Sequence, residues 1–225
     1  MIRQTRDVGR AAVLDIVLCL DPLADEGDEQ GVLRHWPGDS EQEPEGCRIW
    51  LAGSEAVGEQ SPDRGPQCLK TERGSLGARL NQVLQQLDAH HHGWVLFMQP
   101  GDRLAVNGMP VLEQWLKRVG DECQVLVMDE DRVDASGDQR THCFKPDWNP
   151  DLLWDVPYVG RSVCWRVGWV QSMGGFSEHP GIDCLESLFQ ELLLRAEVLT
   201  QEDLDRIVGH LPKLLLHGRE LEKAT

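Results

Sequence analysis

The amino-acid sequence predicts an α/β fold in which a mostly parallel sheet carries helices on both faces. Two observations support this fold class. Short, nearly uninterrupted apolar runs, typical of strands buried on both sides, alternate along the chain with segments of helical apolar spacing. These apolar runs end at glycine, proline or acidic turns. Alternation of this kind makes neighbouring strands parallel, because each helix is the crossover connection between them.

The predicted elements follow one another in that order. Strands are predicted at residues 13–20, 47–52, 67–70, 94–98 and 124–128, and helices at residues 75–87, 111–119 and 185–196. Residues 24–46 are rich in acids, glycine and proline, which indicates a long loop. Ligands of open α/β sheets bind beyond the carboxyl ends of the strands. We therefore expect the turns at residues 53–54, 99–102 and 129–131 to line one crevice.

Length and charge limit the domain count and the partners. The 225 residues suit one domain, predicted over residues 1–225 with loose termini at 1–12 and 219–225. Lys and Arg number 22 against 38 Asp and Glu, a formal charge of −16, which repels nucleic-acid phosphates and argues against nucleic acid as a partner. No apolar run suits a transmembrane segment, and no signal-peptide pattern opens the chain. We expect a cytoplasmic location, including the inner face of the membrane.

The cysteines and a histidine triplet offer little sign of a metal or disulfide site. The seven cysteines are odd in number, scattered and never spaced as C-x-x-C, which argues against a disulfide framework or a thiolate zinc site. Most are expected to be small buried hydrophobes. The triplet at residues 90–92 is either a metal tract or a solvated helix end. The absence of matching carboxylate or cysteine spacing favours the helix end.

One long stretch carries a resemblance to a known family. Residues 129–153, DEDRVDASGDQRTHCFKPDWNPDLL, resemble the central block of family 2 glycosyltransferases that build bacterial surface polysaccharides. Around it stand a glycine-led helix start at residues 74–81, MGGF at 173–176, an aspartate before a helix, and HLPKLLLH at 210–217. The resemblance covers residues 13–218 and is strongest in the second half. It implies the GT-A fold, a Rossmann-like sheet with an acceptor-side extension.

The resemblance implies transfer of a sugar, with inversion, from a nucleotide diphosphate sugar to a glycan or lipid-linked acceptor in cell-surface polysaccharide synthesis. The leaving diphosphate would be neutralised by Mg²⁺ or Mn²⁺, held by an acidic motif that here reads QPGD and keeps only Asp102. His217 matches a histidine that reaches the metal or the diphosphate. From the residues alone, Asp102 could also cap its turn, and His217 could be a surface residue.

Inversion at the anomeric carbon needs a general base on the acceptor side. The resemblance places Asp183 at that position, and the alternative is that Asp183 caps the helix predicted from Leu185. Trp148 and Trp154 could stack on a sugar, although core packing is favoured for Trp154. The residues assigned to donor binding are Gly53, Ser54, Arg79, Asn81, Asp129 and Asp131. As a solvated turn, residues 129–131 would need no function.

The chain departs from the family pattern at three places. The second strand ends in LAGS where family members carry Asp-Asp-Gly-Ser, Gln99 and Gly101 stand where acids are usual, and Ile182 replaces the acid before Asp183. All three changes lie at the expected donor crevice or next to the expected catalytic base. They leave two functions open: an active glycosyltransferase, favoured here, and a non-catalytic glycosyltransferase-like domain that binds a partner protein or a glycan.

Overall fold

The computed structural model describes residues 14–19, 47–53, 67–87, 93–99, 101–134, 140–199 and 204–219. Its strands are β1 (Leu14–Cys19), β2 (Cys47–Gly53), β3 (Gln67–Lys70), β4 (Trp94–Met98), β5 (Arg103–Leu104), β6 (Val125–Val133), β7 (Arg140–Cys143), β8 (Val163–Arg166) and β9 (Val208–Arg219). Its helices are α1 (Leu76–Gln86), α2 (Gly108–Leu116), α3 (Pro150–Asp155), α4 (Val167–Ser172), α5 (Leu185–Leu199) and α6 (Leu204–Ile207). The predicted loop at residues 24–46, the histidine triplet at 90–92, Ser54 and the termini at 1–12 and 220–225 lie outside the described residues.

The strands form one mixed sheet, in the order β3-β2-β1-β4-β8-β6-β9-β5, with β7 paired to β6. Strands β3, β2, β1 and β4 run parallel to one another, and β6 runs parallel to β9. Strand β8 joins the two parallel groups by pairing antiparallel with both β4 and β6. The predicted α/β fold with a largely parallel sheet is confirmed.

The two faces of the sheet carry separate apolar cores. On β4, Val95 and Phe97 belong to one core, while Trp94, Leu96 and Met98 belong to the other, as the alternation of side chains along a strand requires. Apolar side chains of α1 and α5 fill the first core, and those of α2 fill the second. The prediction of helices on both faces is therefore confirmed.

Helix α1 matches its predicted limits closely. Ser75 is its N-cap and accepts the N–H of Ala78 on its Oγ at 3.2 Å, and Leu87 is its C-cap. Helix α2 begins three residues before the predicted start, because Pro110 is tolerated in the first turn of a helix, where no N–H partner is needed. Its predicted end at residue 119 is also wrong, since α2 ends at Leu116. Helix α5 continues beyond residue 196 to Leu199.

The sequence does not predict strands β5, β7, β8 and β9. Strands β5 and β7 are short and mostly polar, so they lack an apolar signal. Strand β9 contains Pro212, and its register against β6 shifts where Leu211 faces Met128 and Leu214 faces Asp129. A proline inside a strand argues against a strand when only the sequence is considered. In the structure, the proline lies in this irregularity, where a ladder hydrogen bond is not required.

The prediction that residues 129–131 form a turn at the end of a strand is wrong. Strand β6 continues to Val133, so Asp129 and Asp131 lie inside it, paired to β9 on one side, and Asp131 also to β7 on the other. Both side chains are buried. Among the described cysteines, Cys123 and Cys164 are buried as expected, whereas Cys143 and Cys184 are only half-buried.

Candidate functional site

The turn after β4 is closed by the carboxylate of Asp102. Its Oδ2 accepts the backbone N–H of Gln99 at 2.9 Å, and its own N–H donates to the Gln99 carbonyl at 3.0 Å. Gly101 has φ of 90°, the left-handed conformation that favours glycine. Asp102 therefore has the turn-capping role that the residues alone allowed, at the carboxyl end of a central strand.

A buried arginine binds the same carboxylate. Arg161 donates from Nη2 to Asp102 Oδ1 at 2.8 Å, and from Nη1 to Gln99 Oε1 at 2.9 Å and Glu186 Oε1 at 3.2 Å. The guanidinium lies against Gly218, where an added Cβ would be 2.5 Å from Nη2. We call Arg161 and these three oxygen-bearing side chains the Arg161 cluster. Its members come from the 99–102 turn, the segment before β8 and the first turn of α5.

The sequence did not single out Arg161 or Glu186. The only signal for Glu186 is an acidic residue in the first turn of a helix, which is common because it complements the helix dipole. Arg161 has no motif around it that would distinguish it from a surface arginine. Its side chain is nevertheless only 8% exposed, and a charge buried to this extent needs the carboxylates that the fold places beside it.

Strands β6 and β9 bring Asp131 and His217 together. The two residues are register partners, and His217 Nδ1 lies 2.7 Å from Asp131 Oδ1. His217 also pairs in register with Arg103, the neighbour of Asp102. The structure thus brings three of the predicted site residues, Asp102, Asp131 and His217, to one corner of the sheet.

A second aspartate and histidine pair lies further back on the same two strands. Asp129 Oδ1 is 3.1 Å from His210 Nε2 and accepts the backbone N–H of Lys145 at 3.0 Å. His210 Nδ1 is 3.1 Å from the exposed carboxylate of Asp147. The contacts of Asp129 therefore join β6, β9 and the segment before α3, and its donor-binding role stays a prediction.

The contacts of the described residues do not fit an ion held by Asp102. Both of its carboxylate oxygens already accept hydrogen bonds, and one of these comes from the permanently charged guanidinium of Arg161. Within the part of the chain that the structure describes, no group of three or more His, Cys, Asp or Glu side chains could hold a metal ion. The Mg²⁺ or Mn²⁺ ion implied by the resemblance therefore has no ligand set in these contacts.

Lys145, in the FKPDW part of the family-like stretch, forms a buried ion pair with Glu130. Its Nζ lies 3.1 Å from Glu130 Oε2, and the two side chains are 2% and 3% exposed. Burial alone would raise the pKa of Glu130, but the charge and hydrogen bond of Lys145, together with Arg132, hold that pKa below its ordinary value. Burial lowers the pKa of Lys145 despite the opposing effect of Glu130.

The ion pair also fixes the segment that carries Arg161. Glu130 Oε2 accepts the backbone N–H groups of Arg161 at 3.3 Å and Ser162 at 3.0 Å. Gly160 has φ of 64°, and an added Cβ would lie 2.6 Å from Glu130 Oε1. Lys145 therefore supports the Arg161 cluster through Glu130, and we interpret this part of the motif as structural.

Asn81 holds the glycine turn at residues 174–176. Its Nδ2 donates to the Phe176 carbonyl at 3.0 Å, and its Oδ1 accepts the Phe176 N–H at 2.8 Å. The turn needs glycine, since Gly174 and Gly175 have φ of 83° and 81° and a Cβ on Gly175 would lie 2.5 Å from Asn81 Oδ1. The amide of Asn81 is thus engaged inside the protein, and its contact with a donor stays a prediction.

Replacement of Asn81 by alanine is expected to destabilise the domain by about 1–3 kcal/mol, because two buried backbone groups of Phe176 lose their partner. Asn107→Ala is the matched control: Asn107 precedes α2 and makes no capping hydrogen bond with its side chain. Its cost should stay within about 0.5 kcal/mol. Urea unfolding followed by circular dichroism measures both, and equal midpoints for the two variants would contradict the role of Asn81.

Asp183 lies at the start of α5 but does not cap it. Helix α5 begins at Leu185, and the Leu188 N–H donates to the Cys184 carbonyl at 3.1 Å, so the capping position belongs to Cys184. The N-cap alternative for Asp183 is therefore wrong. Asp183 is exposed and lies three residues before Glu186 of the Arg161 cluster. Its segment thus reaches the same corner of the sheet.

The remaining predicted residues have different surroundings. Gly53 is the last residue of β2, and Arg79 is buried on α1. The prediction that Trp154 packs in the core is wrong, since its side chain is 58% exposed. Trp148 is half-buried and packs against the first core. Residue Phe144 is also exposed, so this segment presents two large aromatic rings to solvent.

The fold matches solved structures over nearly its whole length. The chain aligns with S. aureus TarS 1-349 in complex with UDP-GlcNAc at a TM-score of 0.59 and 12% identity, covering 94% of this chain and 60% of that chain. It aligns with the mannosyltransferase PcManGT from Pyrobaculum calidifontis, in complex with GDP-Man and Mn²⁺, at a TM-score of 0.52 and 11% identity, covering 95% and 57%. The chain has a glycosyltransferase fold. The resemblance drawn from the sequence is confirmed at this level.

Two relatives match this glycosyltransferase-fold chain in sequence. It is 36% identical over 104 residues to the O-antigen biosynthesis protein RfbC of Myxococcus xanthus, a match covering 46% of this chain and 8% of that protein. It is 30% identical over 98 residues to the uncharacterized protein y4gI of Sinorhizobium fredii, covering 44% and 10%. The matches thus span a tenth or less of the relatives' length. No family model matches the chain.

Among the residues that the structure describes, no helix is both long and apolar enough to cross a membrane.

Proposed function

We propose that residues 1–225 form one glycosyltransferase-like domain that transfers a sugar, with inversion, from a nucleotide diphosphate sugar to a glycan or lipid-linked acceptor in cell-surface polysaccharide synthesis. The observation that carries the proposal is the match of 94% of the chain to a structure in complex with UDP-GlcNAc. The relative in O-antigen biosynthesis supports the polysaccharide role. The cytoplasmic location, including the inner face of the membrane, stays a prediction.

The donor is proposed to bind beyond the carboxyl ends of β1, β2 and β4, where ligands of open α/β sheets bind. The turn after β4 lies at this crevice and carries Asp102, whose carboxylate binds Arg161. Gly53 and Ser54 at the end of β2, together with Arg79, are the proposed contacts on the nucleotide side. Asp129 and Asp131 remain proposed donor residues, although their described contacts are to other side chains and to the backbone of the protein.

Asp183 is the proposed general base. The acceptor hydroxyl oxygen attacks the anomeric carbon, the bond from that carbon to the diphosphate oxygen breaks with its electron pair, and the hydroxyl proton passes to the Asp183 carboxylate. Two observations support this role: Asp183 is exposed, and its segment leads directly into the first turn of α5 at the Arg161 cluster. A carboxylate that is free of a capping contact is available to an acceptor.

The metal implied by the resemblance takes no part in these steps. When bound in a glycosyltransferase, Mg²⁺ or Mn²⁺ neutralises the leaving diphosphate, and the PcManGT structure contains Mn²⁺. In this chain the carboxylate oxygens of Asp102 that would bind an ion are held by Arg161 and by the backbone N–H of Gln99. No step is therefore assigned to an ion.

Titration calorimetry with UDP, GDP and dTDP tests the proposed function. At least one of the three is expected to bind with a Kd below about 1 mM, which corresponds to roughly 4 kcal/mol of binding free energy. Inorganic phosphate at the same concentration is the control, since it carries the charge without the nucleoside or the diphosphate. Absence of binding by all three nucleotides would contradict the proposal.

The second candidate is a non-catalytic domain that binds a glycan or a partner protein. Two observations favour it: strand β2 ends without a carboxylate, and Phe144 and Trp154 expose large aromatic surfaces suited to sugar faces. A glycan array separates the candidates. Retention of a glycan by a protein that binds no nucleotide would move the assignment to this second function.

A further inference from the structure

Three side-chain oxygens converge on the guanidinium of Arg161. They are Asp102 Oδ1 at 2.8 Å, Gln99 Oε1 at 2.9 Å and Glu186 Oε1 at 3.2 Å. Carboxylate and amide oxygens of this kind are the ligands that Mg²⁺ and Mn²⁺ prefer in proteins. The centre of this oxygen set is filled by a permanently charged side chain instead of an ion.

We propose that the Arg161 guanidinium occupies the cation position of this site, so that the domain binds a nucleotide diphosphate without a divalent ion. The nucleotide part of this inference rests on the proposed function, whereas the occupation of the cation position does not. Arg161 is a positioning residue here. It holds Asp102 and supplies positive charge beneath the crevice, with its side chain 8% exposed.

The carboxylates next to Arg161 already have cations beside them. Among the described residues, Asp102 and Glu186 pair with Arg161, and Glu130 pairs with Lys145 and Arg132. A divalent ion entering this group would stand next to a buried guanidinium of the same sign, at short range and low dielectric. Such an ion would have to displace Arg161 from the three oxygens.

The backbone around Arg161 is shaped to accept the guanidinium. Gly218 of β9 leaves room for it, since a Cβ there would approach Nη2 to 2.5 Å. Glu130 fixes the backbone of residues 161 and 162 through two N–H groups. The arginine is thus supported on both sides by buried parts of the fold.

Titration of the nucleotide-free protein with MnCl₂, followed by the electron paramagnetic resonance signal of free Mn²⁺, tests the cation position. Wild type should bind Mn²⁺ with a Kd weaker than about 1 mM. Arg161→Ala releases three oxygens and should bind Mn²⁺ at least about tenfold more tightly, because hard oxygen ligands then have no competing cation. The double variant Arg161→Ala, Asp102→Asn should lose this gain.

Two further variants control for non-specific effects. Arg161→Lys keeps a cation in place and should show no gain in Mn²⁺ binding. Arg166→Ala removes an arginine that donates to the Cys123 carbonyl and lies over the Trp94 ring, and it leaves the contacts of Arg161 with Gln99, Asp102 and Glu186 in place. If Arg161→Ala is unstable, Mn²⁺ should raise its unfolding temperature while leaving that of wild type unchanged. Arg161→Ala that gains no Mn²⁺ response by either measurement overturns the inference.

Nucleotide binding provides the second arm. Whichever of UDP, GDP and dTDP binds wild type should do so within about twofold in EDTA and in MnCl₂, since a change of this size is below 0.5 kcal/mol. A tenfold loss of affinity in EDTA, or tight Mn²⁺ binding by wild type that Asp102→Asn removes, overturns the inference. If none of the nucleotides binds under either condition, the proposed function fails, and the MnCl₂ titration still decides whether Arg161 occupies the cation position.

Discussion

Replacement of Lys145 by methionine is expected to destabilise the domain by about 3–5 kcal/mol, the typical cost of breaking a buried ion pair by removal of one partner. Methionine keeps the length of the side chain but leaves the carboxylate of Glu130 buried without its nearest cation. Glu130 in turn holds the backbone of residues 161 and 162. The loss of stability should therefore lower the urea midpoint of unfolding. We also expect the contacts of the Arg161 cluster to change.

Lys117→Met is the matched control for this substitution. Lys117 forms an ion pair with Glu113 one helical turn away, on the surface of α2, and its side chain is 48% exposed. Pairs of this kind contribute at most about 0.5 kcal/mol. The double variant Lys145→Met, Glu130→Gln should recover part of the lost stability, because the uncompensated charge is then removed. Equal losses of stability in Lys145→Met and Lys117→Met would show that the buried ion pair contributes no more than the surface pair.

Asp183→Asn is expected to lower the rate of sugar transfer by about 10²-fold or more, the usual contribution of a general base. Donor affinity should stay nearly unchanged, because the base acts on the acceptor hydroxyl and only in the transition state. The measurement is single-turnover transfer from the nucleotide sugar that binds, at saturating donor. Unfolding of the variant should not account for a lower rate, since Asp183 is exposed and does not cap α5.

Asp121→Asn provides the control for the loss of one exposed carboxylate. Asp121 lies in the turn before β6, at the opposite end of that strand from the candidate site. The Asp121 variant should transfer sugar at the wild-type rate. A folded Asp183→Asn domain with the same rate as Asp121→Asn would remove Asp183 from the mechanism. A wild-type domain that binds nucleotide sugar but transfers to no acceptor would favour the non-catalytic function.

Local patterns in the sequence were enough for the central elements. The apolar spacing around Leu80, Val83 and Leu84 predicted α1, because this signal depends on residues within one or two turns of each other. The unbroken apolar run of β4 predicted a strand buried on both faces. The FKPDW stretch predicted the glycosyltransferase resemblance that the fold then confirmed.

Residues 129–131 show why a local reading fails at the site. Three consecutive acids are normally solvated, and this pattern predicts a turn. The fold buries them by supplying partners from distant segments: Lys145 for Glu130, His210 for Asp129 and His217 for Asp131. A buried charge is acceptable only when it is paired, and the sequence contains no sign of which residue will provide the pair.

The sequence by itself determined the α/β fold class, the core of each central strand and helix, and the family that the chain resembles, because apolar periodicity and a long motif are local properties. The tertiary structure alone decided the chemistry of the candidate site. Arg161 and Asp102 are 59 residues apart in the chain, and Arg161 and Glu186 are 25 apart. Their contact depends on how β4, β8 and α5 pack around one corner of the sheet. Electrostatic pairing is set by distance in space and burial, so the cation at Asp102 could be identified as an arginine only after the fold had brought these segments together.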